Sequence, residues 1–393
     1  MSVLTGLDRI QEAHFEGLKG KRVGLVCHQA SIDRNFHHMI DIFLSAQKEG
    51  ILTITAIFGP QHGLWGHTQD NMIEWQSFQD PRTGIPVYSL YGDTRKPIPD
   101  MLTDIDVMVI DVQDVGARYY TFIWTMALTM EACEAAGIEV WVLDRPNPIG
   151  GVQVEGPYQE ADFLSFVGLK PILPRHGMTI GEIARWLQVT YYPQLSLQVV
   201  SMVNWTRSMY FDATGLPWAM PSPNMPALDT AVVYPGMCLL EGTNLSEGRG
   251  TTRPFEIFGA PWMDGWHIAE ILNGYQLPGV YFRPVEFQPT FQKYAGEVCQ
   301  GCFIHVTDRQ KFLPFLTGVA VIREAIQCYP DKFRWKEPPY EYEYVKLPID
   351  ILLGSQSLRY QIEQLKPLDE LQRSWKADEE NFLEKRNPFL IYS

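Results

Sequence analysis

Between Glu241 and Glu256 the chain reads Glu-Gly-Thr-Asn-Leu-Ser-Glu-Gly-Arg-Gly-Thr-Thr-Arg-Pro-Phe-Glu, setting carboxylates, an arginine and an amide among glycines. Glycines at 242, 248 and 250 permit positive φ and close approach of backbone to a ligand. This composition predicts a binding loop whose directional groups are Glu241, Asn244, Glu247 and Arg249. The segment Trp218-Ala-Met-Pro-Ser-Pro-Asn-Met-Pro226 is a second rigid polar loop, because its prolines fix φ and remove donors. It either braces a domain junction or holds Ser222 and Asn224 in a site.

Further polar clusters follow short apolar runs. Arg22–Cys27, Leu52–Phe58, Asp106–Asp111 and Ile138–Leu143 read as strands separated by helical patterns. Such alternation predicts a parallel α/β sheet, covered on both faces. Directly after these strands come Cys27-His-Gln29, Gly59-Pro-Gln-His-Gly63, Asp111-Val-Gln-Asp114 and Asp144-Arg-Pro-Asn147. In open parallel sheets, ligands bind beyond the carboxyl ends of the strands. Asp111, Gln113, Asp114, Asp144, Arg145 and Asn147 therefore become candidates for a cleft, with about half of the strand-end residues expected to serve as caps and turn formers instead.

At 393 residues with 46% hydrophobic content, two domains are expected. The fold class expected is α/β: a Rossmann-like, doubly wound first domain over 1–160, then a smaller mixed α/β domain over 161–393, with the cleft between them. Met178–Leu187 reads as a helix, with Thr179 as N-cap and Glu182 at the capping-box spacing. No GxGxxG follows the first strand and no GxxxxGK[ST] occurs, so nucleotide fingerprints are absent and no cofactor is expected.

The net charge of −14 argues against nucleic acid or an anionic membrane surface as partner. The opening Met-Ser-Val-Leu-Thr-Gly-Leu-Asp-Arg shows no basic segment followed by an apolar core, and no apolar run approaches the roughly 18 residues of a membrane span. A cytoplasmic location is the expectation. Six scattered cysteines do not form a disulfide framework, and Cys299-Gln-Gly-Cys302 alone is insufficient for zinc.

The chain resembles the DUF1343 family along nearly its whole length; characterised members are exo-β-N-acetylmuramidases of the NamZ type. The resemblance rests on Asp111-Val-Gln-Asp-Val-Gly-Ala-Arg-Tyr-Tyr-Thr121, Leu143-Asp-Arg-Pro-Asn-Pro-Ile-Gly-Gly151 with Val154-Glu-Gly-Pro157, and Arg175-His-Gly-Met-Thr-Ile-Gly-Glu-Ile-Ala184. It extends to Pro221–Pro226, Glu241–Glu256 with Gly259-Ala-Pro-Trp262, and a closing helix and strand over Phe382–Tyr392. It implies a glycosidase that removes terminal N-acetylmuramic acid from peptidoglycan fragments, with a small-molecule carbohydrate as its substrate partner. The lactyl carboxylate of that sugar suits an arginine such as Arg118, Arg145 or Arg249.

Where the family commonly reads Glu-His-Gly, this chain has Gln61-His62-Gly63. Gln61 cannot exchange a proton, so the carboxyl role passes to another group, with Glu155, Asp114, Glu74, Asp70 and His62 as candidates and Glu155 preferred for its turn setting. Tyr119 and Tyr120 are expected to split, one in the core and one facing the sugar. A rival reading is a protein that binds sugar without cleaving it. A third is a metal-dependent hydrolase using Asp111, Asp144 and His62.

Overall fold

A computed structural model describes residues 2–393. The larger sheet contains β1 (Arg22–Cys27), β2 (Thr53–Gly59), β3 (Phe78–Gln79), β4 (Pro86–Ser89), β5 (Val107–Asp111), β6 (Glu139–Leu143) and β7 (Leu197–Val200). Their spatial order is β3-β4-β2-β1-β5-β6-β7, and every pairing is parallel except that of β3 with β4. The four strands read from the apolar runs of the first 150 residues are thus present, and the α/β reading holds. All five residues of β5 are buried, as a central parallel strand requires. Strand order reverses between β1 and β5, the kind of point where a crevice opens at the carboxyl ends.

β7 lies beyond the division expected at 160/161 and completes the sheet by pairing Val140 with Leu197 through Leu143 with Val200. The glycine- and proline-rich stretch from Pro146 is not an exposed linker, for residues 146–151 are buried against the sheet's carboxyl edge.

Along the larger sheet lie α1 (Gly6–Glu12), α2 (Met39–Lys48), α3 (Pro99–Leu102), α4 (Phe122–Ala136) and α5 (Ile180–Tyr191). Helix α4 is apolar nearly all round, as a buried helix should be. Helix α5 starts at the capping box anticipated from Thr179 and Glu182, whose side chains each bond the other's backbone N–H.

A smaller antiparallel sheet, β8 (Ile257–Ala260), β10 (Cys299–Val306) and β9 (Val280–Phe287) in that order, packs with α6 (Leu228–Met237), α7 (Gly265–Gly274) and α8 (Pro314–Cys328). Cys299 and Cys302 sit buried on β10 as free thiols. Four short helices follow: α9 (Pro348–Leu353), α10 (Gln356–Glu363), α11 (Leu368–Ser374) and α12 (Lys376–Arg386). The closing helix is present, but the strand expected after it is not. There the backbone N–H of Ile391 bonds the Glu182 side chain at 2.9 Å, and the Tyr392 hydroxyl donates to Asp144 at 2.6 Å, so side chains rather than a β-ladder hold the end of the chain. No helix among the described residues is long and apolar enough to cross a membrane.

One hydrophobic core runs through both sheets. An aromatic seam joins them: Tyr234 of α6 meets Tyr119, Tyr120 and Phe255 edge-on.

Candidate active site

The ends of β1, β5 and β6 mostly bind one another. Asp111 receives two hydrogen bonds from Arg145, one from Nε and one from Nη2 at 2.7 Å, while Arg145 also donates to the Ile32 carbonyl. His28 donates from Nδ1 to the Pro221 carbonyl at 3.1 Å and accepts the Gln113 N–H at Nε2. The Gln113 amide donates to the carbonyls of Asp114 and Pro146. Asp114 accepts the Gly116 N–H and lies 3.1 Å from His176 Nε2. Asp144 accepts from Thr179, Gly181 and Tyr392, and burial pushes its carboxyl up to about 7. Asn147 bridges Ile149 and Met178. These side chains bond mainly to protein groups and brace the sheet edge, although Asp114 Oδ1 has no partner; this is the turn-and-cap share of the strand-end residues, larger than expected. Asp111, Asp144 and His62 consequently do not converge as a metal-ligand set.

Arg118 and Glu155 also stand elsewhere. Arg118 is fully buried, bonds the carbonyls of Ile172 and Leu352, and is brought down to about 10 by burial. Glu155 accepts the backbone N–H groups of Phe315 and Leu316 at 2.9 and 2.8 Å, the first turn of α8. The turn-like setting that drew attention to Glu155 exists because its carboxylate caps a helix. Asn244 likewise bonds Lys332 and Arg334 in a neighbouring turn.

A pocket forms where the end of β2, the turn before α4, the Pro221–Pro226 loop and the Glu241–Glu256 loop meet. Gln61, His62, Tyr119, Tyr120, Ser222, Asn224, Glu241 and Arg249 line it, together with Asn71, Tyr340 and Glu341. Thus the proline-rich loop lines part of this pocket. Its Asn224 donates to the Gln69 carbonyl at 2.6 Å. Both tyrosines face the pocket rather than splitting, because residues 118–120 form a turn without strand alternation, and both hydroxyls are buried without a partner.

The Glu241–Glu256 loop has the backbone its glycines suggested. Gly248 and Gly250 adopt φ of 78° and 79°, and a Cβ at either would come within 2.6 Å of a neighbouring carbonyl oxygen. Arg249 donates from Nη2 to Glu241 at 2.7 Å. Its Nε lies 3.4 Å from Glu247 and its Nη1 4.0 Å from Asp70, yet neither nitrogen makes a hydrogen bond. Glu247 stands behind, held by Lys293 at 2.8 Å. Burial pushes Glu241 up, but the charge and hydrogen bond of Arg249 and the bond from the Tyr340 hydroxyl outweigh it and hold this carboxylate below its ordinary range.

Gln61 accepts from the Thr121 hydroxyl at 2.6 Å and donates to Tyr91 at 3.1 Å and to Glu341 at 3.2 Å. His62 has φ of 72° and donates from Nδ1 to the Thr68 carbonyl at 2.8 Å. Burial lowers it to about 4, so it is neutral, with Nε2 as an acceptor. Glu341 behaves oppositely to Glu241: burial raises it to about 7, with Glu241 adding to the effect.

Glu341 and Tyr340 were not anticipated from sequence. The available signal was Pro338-Pro-Tyr-Glu-Tyr-Glu-Tyr344, a double proline before alternating tyrosines and glutamates. Glu341 and Tyr342 take positive φ of 45° and 68°, backbone strain of the sort found at functional sites. Of the remaining carboxylate candidates, Asp70 bonds Gln292 and Glu74 accepts from Tyr342 near the rim.

Comparison with known proteins matches residues 23–229 to the N-terminal and 232–392 to the C-terminal family model of the exo-β-N-acetylmuramidase NamZ. The peptidoglycan β-N-acetylmuramidase NamZ of Bacillus subtilis (strain 168) is 43% identical over 390 residues, covering 99% of this chain and 91% of that protein. Two crystal structures of DUF1343 family proteins from Bacteroides fragilis NCTC 9343 superpose over 100% of this chain and 99% of theirs. Their TM-scores are 0.87 and 0.76, at 35% and 27% identity.

Proposed function

Because the chain belongs to the NamZ family of exo-β-N-acetylmuramidases, we propose that it is a glycoside hydrolase releasing terminal N-acetylmuramic acid from peptidoglycan fragments. One arrangement carries the reading: Glu241 and Glu341 line the same pocket, Glu241 paired with Arg249 and held below its ordinary range, Glu341 bonded only by the neutral donors Gln61 and Tyr91 and raised by burial to about 7. Glycoside hydrolysis ordinarily needs one protonated and one ionised carboxyl group flanking the scissile bond, and environments that push two such groups apart assign them their roles.

The sugar's anionic lactyl group finds its partner in Arg249. Among the three arginines considered from sequence, Arg118 and Arg145 bind protein groups outside the pocket, whereas Arg249 lines it with two buried nitrogens lacking acceptors. Ser222, Asn224, Asn71 and the Tyr119 and Tyr120 hydroxyls supply further polar contacts for the N-acetyl and ring hydroxyl groups. Glu155, Asp114, Asp111, Gln113, Asp144, Arg145, Asn147 and Asn244 act as supports. We place the division between the two units near residues 229–232, where the family models meet and β7 is retained with its sheet. The expected cytoplasmic location is supported by six free thiols.

A second reading, sugar binding without cleavage, is favoured by Gln61, an amide where the family commonly has a glutamate. Chromogenic N-acetylmuramic acid β-glycoside offered to the purified protein separates the two. Turnover supports the hydrolase; saturable binding without turnover supports the binder.

A further inference from the structure

We infer that Glu341 is the group that donates a proton to the glycosidic oxygen, and that Gln61 is the residue that positions it. The inference rests on the muramidase reading above and assigns its acid.

The amide at position 61 is not a vacancy in the site. Its oxygen is taken by Thr121 and its nitrogen serves Tyr91 and Glu341, so the amide is fixed in one orientation. Glu341 Oε1 accepts from Gln61, and Oε2 accepts from the Tyr91 hydroxyl at 2.7 Å. Tyr91 has no alternative role in this bond, since its oxygen already accepts from Gln61 and from the Met72 N–H at 3.0 Å. Both carboxyl oxygens are thus held from the protein side, and a proton on Glu341 is left the pocket in which to find an acceptor. The titratable and charged groups facing Glu341 include Tyr91, Tyr340, Glu241 and Arg249. Burial and the negative Glu241 favour the protonated acid; Arg249 and the two donors oppose it. The positive φ of Glu341 keeps this carboxyl where a relaxed backbone would not put it.

In the step so assigned, the C1–O bond breaks with its electron pair going to the leaving oxygen, which takes the Glu341 proton and departs as a hydroxyl. Water supplies the new hydroxyl at C1. Its other proton goes to Glu241 in a single displacement; in a double displacement Glu241 first bonds C1 as the leaving group departs, and water then breaks that ester, giving its proton to the spent Glu341 and freeing the Glu241 carboxylate. No oxidant, metal or co-substrate beyond water is required for the balance.

The test compares a natural disaccharide, N-acetylmuramyl-β-1,4-N-acetylglucosamine, with the 4-nitrophenyl β-glycoside of the same sugar, whose leaving group needs little protonation. For Glu341→Gln, disaccharide turnover should fall about 10³-fold, a general acid's usual share, with a far smaller loss on the nitrophenyl glycoside. The fall of activity at alkaline pH should also vanish. Gln61→Leu, lacking the donor that favours the carboxylate, should move that alkaline fall to higher pH. Equal losses on both substrates with an unchanged pH profile would overturn the inference, as would full disaccharide activity in Glu341→Gln. If Glu341→Gln does not fold, Glu341→Asp decides: a retained alkaline fall with lower kcat supports the role, and its loss contradicts it. Wild-type silence on both substrates overturns the muramidase reading and this inference together; an active wild type with an unaffected Glu341→Gln overturns this inference alone.

Discussion

Arg249 donates to Glu241 at 2.7 Å from one guanidinium nitrogen, while its Nε and Nη1, equally buried, have no acceptor. One arginine thereby orders a carboxylate, and in the proposed reading its two remaining donors serve the lactyl group. Arg249→Lys retains charge but loses the planar fork. KM for a chromogenic muramide should rise about tenfold or more, the worth of one charge-assisted hydrogen bond. The N-acetylglucosamine counterpart, which lacks the lactyl carboxylate, should respond much less, so the ratio of the two specificity constants is the readout.

Glu155 caps α8 through two backbone N–H groups and is absent from the pocket lining. Glu155→Ala should cost about 1.5–3 kcal/mol of stability, as expected for buried hydrogen bonds to a carboxylate. Denaturant titration measures this. The kcat of the folded variant should match wild type, and its abolition in a protein of undiminished stability would place Glu155 in the chemistry instead.

The pH profile follows from the two pocket glutamates. Glu341, raised to about 7, must keep its proton, so activity declines as pH rises through about 7. Glu241, held below its ordinary range, must stay ionised, so the acidic decline falls below the usual glutamate range. The Tyr91 hydroxyl favours the ionised form of Glu341. Tyr91→Phe should therefore shift the alkaline decline to higher pH, readable from kcat/KM against pH.

Gln61→Glu would set a second carboxyl where the amide nitrogen now lies 3.2 Å from Glu341. Two carboxyl groups that close share a proton, and the pair titrates with one value raised further. The variant should remain active with its alkaline decline displaced upward. Activity arising only in Gln61→Glu, from a silent wild type, would favour the binding protein.

The framework was legible because apolar runs and capping signals act locally. The Arg22–Cys27 strand and the Thr179 capping box needed only neighbours in sequence. The roles of polar residues were less so. Asp111 and Arg145 lie 34 residues apart and satisfy each other, and the motifs around them look alike whether they hold a ligand or the sheet edge. Glu341 is 280 residues from Gln61, and nothing local to its tyrosine-rich run indicates that burial will raise it. Loop chemistry was the better guide: the glycines and charges of Glu241–Glu256 marked a pocket wall, since close backbone approach and directional groups coincide there.

The most direct measurement is hydrolysis of a chromogenic N-acetylmuramic acid β-glycoside by the wild-type protein, beside its N-acetylglucosamine counterpart. The account predicts turnover of the muramide, strong preference for it over the counterpart, and a rate that falls above about pH 7 as Glu341 loses its proton. Saturable binding of the muramide with no release of chromophore at any pH would contradict it.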